Sequence, residues 1–246
     1  LIVNLVDPTA AGIIIEKAKK ADIPVVFFNR EPRSEDLQKW DKAYYVGARA
    51  EQSGTLQGQI LVNYFKNHPT KDGVIRYIML KGEPGHQDAE LRTKYVIKTI
   101  EDAGFKVQKV AEDTAMWDRV QGQKKMESFL DSQGDHFDCV IANNDDMALG
   151  AIDALKIKGY FQNGKYVPVV GVDATNPALK ALEEGTLLGT VLNDAKNQGK
   201  AIFSVSSILA QGQTPDNGNS GYTITDGKYV WIDCKIITKE NINDAK

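Results

Sequence analysis

The chain has 246 residues, 42% of them hydrophobic and 26% charged, enough for one large globular domain or two lobes with separate cores. A net charge of -3 excludes a basic nucleic-acid footprint or a polybasic membrane patch, and no apolar run approaches the ~20 residues of a membrane span. Two cysteines, Cys139 and Cys234, stand outside any CxxC or Cys/His cluster, which excludes a disulfide framework and a structural zinc site.

The chain begins inside an apolar, strand-like run at 1–6, with no initiator Met or leading loop, and so reads as lacking its start together with any targeting segment. Asp7-Pro8 then supplies an N-cap and a first-turn proline for a helix over 9–20. Strands follow at 25–29 and 43–46, a helix at 51–66, a strand at 74–81 and a helix at 87–103 closed by Gly104. Next come a strand at 106–110 and a helix at 117–132, whose apolar stripe includes Met126, Phe129 and Leu130. The pattern repeats: strand 139–143, helix 145–157, strand 167–172, helix 176–184 closed by Gly185, strand 188–192. A last helix at 195–211, with Ile202, Val205, Ile208 and Leu209 on one face, ends at Gly212. A turn-rich loop at 215–221 leads into a hairpin, 222–226 with 229–231, around Asp226-Gly227. Strands alternating with helices predict an α/β fold with parallel sheets and right-handed crossovers.

In open α/β sheets ligands bind beyond the carboxyl ends of the strands. Those ends here carry Asn29-Arg30, the loop 82–88 with His86 and Asp88, the segment 113–118 with Trp117, Asn143-Asn144-Asp145, Asp173, and Asn193-Asp194. Planar polar side chains beside an aromatic ring suit a neutral polyhydroxylated ligand. Each sugar hydroxyl both donates and accepts, and the C–H face of a pyranose fits a flat ring. Each residue has a local explanation as well. Asn29, Asn144 and Asn193 make good turn residues or helix caps, Asp88 and Arg92 are spaced as a surface ion pair, and a lone Trp is usually core. Their coincidence at the strand ends favours the ligand reading. The GxGxxG, P-loop, GxSxG and HExxH motifs are absent, and a site of carboxylates and amides without a nucleophile–base pair points to binding rather than turnover.

The segments NLVDP (4–8), PVVFFNREP (24–32), KAYYVG (42–47), LKGEPGHQDAELR (80–92), DTAMWD (113–118), VIANNDDMALGA (140–151), VVGVDA (169–174) and GTVLNDAKNQ (189–198) closely resemble the bacterial galactose/glucose-binding proteins. These are type I periplasmic binding proteins of the ribose-binding-like class, and the likeness runs the length of the chain. It implies two Rossmann-like lobes joined by three hinge crossovers near Gly47, 193–194 and Trp231. The N-terminal lobe would hold 1–46 plus 195–229 and the C-terminal lobe 48–192 plus 232–246. The implied function is that of the substrate-binding component of an ABC sugar transporter, not an enzyme. It would bind one hexose, D-glucose or D-galactose, in the interlobe cleft with lobe closure. Asn29, His86, Asp88, Arg92, Trp117, Asn144, Asp173 and Asn193 match the family's sugar-contacting positions, and Arg30 stands where the family commonly has Lys. The implied partners are the ABC permease membrane subunits and, in some bacteria, a chemotaxis receptor. The protein would be an extracytoplasmic monomer, in the periplasm or as a cell-surface lipoprotein of a Gram-positive host. The alternative is the effector-binding domain of a sugar-responsive LacI-type repressor, which shares the fold.

Two departures from the family pattern stand out. The resemblance puts two further strand–helix units, roughly 60 residues at about 30 per unit, ahead of Leu1, leaving the N-terminal lobe incomplete and without the aromatic that faces Trp117 across the sugar. The family's calcium loop is degenerate, since over 68–76 only Asp72 is a carboxylate and Arg76 takes a terminal oxygen-donor position. The expectation is that no calcium binds and that Arg76 supplies the charge by pairing with Asp138, the matched distant carboxylate. No other cofactor is expected.

Overall fold

β-branched and aromatic runs become short strands and the amphipathic stretches become helices in the computed structural model, which describes residues 1–245. In chain order the elements are β1 (Ile2–Asn4), a 3-10 turn (Pro8–Ala10), α1 (Ala11–Lys20), β2 (Val25–Phe28), α2 (Ser34–Leu37), β3 (Ala43–Gly47), α3 (Ala50–Asn67), β4 (Val74–Lys81) and α4 (Gln87–Asp102). They continue with β5 (Lys106–Thr114), α5 (Arg119–Gln133), β6 (Cys139–Ala142), α6 (Asp145–Ile157), β7 (Val169–Val170), α7 (Asn176–Glu184), β8 (Thr190–Leu192) and α8 (Ala195–Ala210). The chain ends with β9 (Ile224–Thr225), β10 (Tyr229–Trp231), β11 (Lys235–Ile237) and a 3-10 segment (Lys239–Ala245).

By internal contacts the chain divides into two units. The first holds Leu1–Arg49 with Asp194–Asp233, the second Ala50–Asn193 with the segment from Cys234. The chain passes between the units at Arg49/Ala50, Asn193/Asp194 and Asp233/Cys234, and Trp231 is the last residue of β10, hydrogen-bonded in parallel to β3.

The first unit carries one sheet in the order β1-β2-β3-β10-β9, parallel except for β9. Successive side chains on a strand face opposite ways. Phe27 and Tyr45 therefore pack with Ile15 of α1, Leu37 of α2 and Trp40, while Val26, Tyr44 and Val46 pack against Val205 and Leu209 of α8. Covering both faces is why these strands read as unbroken apolar runs. α2 is a single turn, too short to leave a periodic signal.

In the second unit β5-β4-β6-β7 form a parallel sheet. It extends through the Val170–Gly189 bridge and the Asp173 N–H to Val191 carbonyl bond (2.7 Å) toward β8, which pairs antiparallel with β11. β5 runs four residues past its expected end at 110, because its ladder with β4 absorbs a register shift at Tyr77/Ile78 and persists to Lys81–Thr114. Ile78, Leu80, Val140, Met147, Ile152, Leu155 and Leu182 fill the core. The strand order reverses between β4 and β6, which makes the gap beyond their carboxyl ends the switch point where doubly wound sheets take ligands. Both cysteines are free and buried.

Candidate functional site

The switch point of the second unit is built from the end of β4, the end of β6 and the start of α4. Gly82 follows β4, and its N–H donates to the Asn143 side-chain oxygen (3.0 Å). His86 is the N-cap of α4. Its Nδ1 accepts from the Asp88 N–H (3.1 Å), which in the neutral ring leaves the proton on Nε2 as a donor. One turn further, Arg92 donates through Nη1 to the Asn143 carbonyl (2.9 Å) and through Nη2 to Asp88 (3.0 Å). The Asp88–Arg92 spacing, ordinary for a solvated ion pair, here belongs to an Arg92 that is only 5% exposed. Its Nε is buried with no partner among the described residues. Such an orphaned donor is a rarity that asks for an acceptor.

Trp117, expected as the first residue of a helix, precedes it instead. Asp118 is the N-cap of α5, with its carboxylate accepting from the Gln121 N–H, and Met116 and Trp117 both adopt left-handed backbone (φ 53° and 64°). That reversal lays the indole on the backbone of Gly82, where a Cβ would come within 2.1 Å of the ring. The His86 ring meets the indole edge-on at 5.0 Å, and the Arg92 guanidinium lies 5.9 Å from its centroid. Asn144 both caps α6, accepting from the Met147 N–H (3.0 Å), and donates to the Trp117 carbonyl (3.1 Å). The helix cap and the tie to Trp117 thus coincide in one side chain.

Asp173 follows β7 in left-handed backbone (φ 121°), and Asn193 at the end of β8 donates to its carboxylate (3.4 Å). Burial raises the Asp173 carboxyl above its usual range, while the positive charge of Arg92 pulls it back. Asp88 and Asp173 thus share the field of one guanidinium. The structure therefore brings His86, Asp88, Arg92, Trp117 and Asn144 together and joins Asp173 to Asn193, with the charge of Arg92 acting on the Asp173 carboxyl. It places Asn29 and Arg30 on the first unit. There Asn29 closes β2 in left-handed backbone (φ 62°), donates to Asn4 (3.3 Å) and accepts through its carbonyl from Tyr45 Oη (2.8 Å), and Arg30 Nη1 donates to the Val6 carbonyl.

Two residues given no site role by the sequence support this arrangement. Asn143 is fully buried and ties Gly82, Arg92 and Thr93 (Nδ2 to Oγ1, 3.0 Å) into one network. Its place in the Asn143-Asn144 pair at a strand end was the available signal. Gln57 of α3 donates to the carbonyls of Ala142 (2.7 Å) and Gly171 (3.2 Å), bridging β6 and β7 where their ladder opens, and no sequence signal marks it.

At the amino ends of the strands, Arg76 pairs chiefly with Asp72. Nη1 donates to Oδ1 (3.2 Å) and Nη2 to Oδ2, and this contact holds the Asp72 carboxyl at about 2. Asp138, the expected partner, takes the Arg76 backbone N–H (2.7 Å) and stands 3.8 Å from its guanidinium. The i,i+4 neighbour is within easier reach of the side chain than the carboxylate of a neighbouring strand. Among the described residues no group of three or more His, Cys, Asp or Glu is arranged to hold a metal ion.

A sequence profile of the periplasmic binding protein domain matches residues 1–214. The chain is 43% identical to the D-galactose/methyl-galactoside binding periplasmic protein MglB of Haemophilus influenzae over 249 aligned residues, covering 99% of this chain and 73% of that protein. It is 35% identical to a putative rhizopine-binding protein of Rhizobium meliloti, covering 98% and 72%. A solved ABC transporter solute binding protein from Bacillus halodurans, with bound myo-inositol, superposes with a TM-score of 0.81 at 34% identity, covering 99% of this chain and 75% of that one.

Proposed function

The chain belongs to the periplasmic binding protein family, and from that premise we propose that it is the sugar-binding component of an ABC transporter that takes one hexose, D-galactose or D-glucose, at the switch point of its second unit. Arg92 is the observation that carries this reading. A buried guanidinium that pairs with Asp88, lowers the Asp173 carboxyl by its charge and leaves its Nε–H without a partner among the described residues offers donors close to acceptors, and the Trp117 ring lies beside it. Vicinal hydroxyls of a sugar satisfy such an arrangement, since each accepts from the guanidinium and donates to a carboxylate. The indole supplies the flat surface for the apolar ring face. The MglB likeness at 43% identity points to a galactoside, while the myo-inositol complex of the Bacillus halodurans protein supports the broader class of cyclic polyols.

The protein acts outside the cytoplasm and delivers its ligand to the membrane subunits of the permease. Calorimetry with D-galactose, D-glucose, myo-inositol and D-ribose, repeated on Trp117→Ala, tests the reading. Tight binding of a hexose, weakened by ~1–3 kcal/mol in the variant, is the expected result. Absence of heat with every sugar, or an unchanged affinity in Trp117→Ala, refutes it. Asn29 and Arg30 enter on their place at a strand end and on the resemblance, and Asn29→Ala and Arg30→Ala measure their share.

A further inference from the structure

Asp145 is fully buried on the first turn of α6, next to Asn144, and the binding site as described does not use it. An interior carboxylate is a poor stabilising device, because desolvation penalises its charge. Burial, and then the neighbouring charge of Asp173, push its carboxyl far above the usual range. Its geometry shows what it holds. Oδ1 accepts from the Thr190 hydroxyl of β8 (2.6 Å), Oδ2 accepts from the Thr175 N–H (2.8 Å), and the Asp145 N–H donates to the Val172 carbonyl (2.8 Å). The same Thr190 oxygen accepts from the Ala174 N–H (3.3 Å). Asp145 therefore grips the chain on both sides of Asp173, before it at 172 and after it at 175, and Thr190, bonded to it, holds 174.

The gripped turn is the segment that needs it. Asp173 and Ala174 are consecutive non-glycine residues at φ 121° and 55°, a conformation that persists only where the surroundings over-determine it. The carboxylate also rests directly on backbone, since a Cβ at Gly171 would lie 2.3 Å from Asp145 Oδ1.

We propose that Asp145 is a positioning residue for ligand binding: together with Thr190 it clamps the 172–175 turn in the shape that sets the Asp173 carboxylate for the sugar. The ligand half of this statement rests on the sugar-binding reading above, and the clamp itself does not.

Two measurements on the full chain test it. In the ligand-free protein, amide exchange at Ala174 and Thr175 rises about tenfold or more in Asp145→Ala and in Thr190→Val. It stays within about threefold of wild type in the isosteric Asp145→Asn and in Thr190→Ser, which keeps the hydroxyl. Wild-type exchange in both Asp145→Ala and Thr190→Val overturns the clamp, and Thr190→Val decides if Asp145→Ala fails to fold. The second measurement is D-galactose binding, read by NMR titration so that weak complexes stay measurable. Asp145→Ala weakens binding about tenfold on the wild-type background and by less than about twofold on an Asp173→Ala background, because its effect runs through Asp173. Equal losses on both backgrounds overturn the positioning role and mark general damage. A wild-type protein that binds none of the sugars refutes the functional reading and the ligand half of this proposal, while the exchange rates still decide the clamp.

Discussion

Gly82→Ala probes the seat of the indole. Gly82 needs no unusual backbone, so its requirement for glycine is steric: an added Cβ would lie 2.1 Å from Trp117 Cζ2 and 2.3 Å from two further ring atoms. Ordinary contact begins near 3.4 Å, so the ring must retreat by 3.4 − 2.1 = 1.3 Å. It has little freedom to do so. The Trp117 carbonyl is held by Asn144, its ring abuts His86, and its backbone is left-handed. Overpacking of this kind costs about 1–3 kcal/mol, which lowers the melting temperature by roughly 2–10 °C in a chain of this size. Moving the ring more than an ångström out of register also removes most of the stacking, so hexose affinity falls on the order of tenfold. Differential scanning calorimetry and titration calorimetry read the two effects. Gly199→Ala on α8 is the control, since nothing lies within 4 Å of its added Cβ. It is expected to leave binding intact and to raise stability by up to ~1 kcal/mol. Wild-type affinity and melting temperature in Gly82→Ala would refute the seating of Trp117 on this backbone.

Arg92→Lys keeps the charge but loses the fork that reaches Asn143 and Asp88 together, and it lacks the Nε donor. Sugar affinity should drop about 100-fold, ~2.7 kcal/mol, by titration calorimetry, and an unchanged Kd would remove Arg92 from the site. For Asp145 the folded carboxyl titrates above its unfolded value, so the folded chain binds more protons than the unfolded chain from about pH 4 upward. Stability from this group is complete below that pH and is lost as pH rises through the folded pKa. The advantage of Asp145→Asn in urea midpoint should therefore grow with pH, and parallel curves for the two proteins would count against it. With Arg76 paired to Asp72, calcium should release no heat on titration and a chelator should leave the melting temperature unchanged. Tight calcium binding would show that this pair gives way to the ion.

Much of the architecture was legible because burial on both faces and amphipathic periodicity are local properties. The strand cores at 25–28, 43–47, 74–81 and 139–142 lie within or close to the apolar runs that announced them, and Gly185 sits at the C-cap of α7 in left-handed backbone (φ 77°) as its position implied. α2 and β11 went unread because three or four residues carry no period. The sequence pattern extends the following helix back over 117–118, because a helical pattern does not reveal where a left-handed turn interrupts it.

The sequence by itself determined the alternation of strands and helices and the chemistry at their ends, because side-chain type and spacing are written residue by residue. Polar strand ends at 86–92, 117, 144, 173 and 193 were visible without coordinates. Only the tertiary structure decided which of these groups meet and in what state. Whether Asp88 and Arg92 form a solvated pair or a buried one depends on Asn143, 51 residues away, accepting from the guanidinium. Where the Trp117 ring lies depends on a glycine 35 positions earlier that leaves room for it. Hydrogen bonding and close packing act through space, and the strand order that brings β4 beside β6 is what makes these distant residues neighbours.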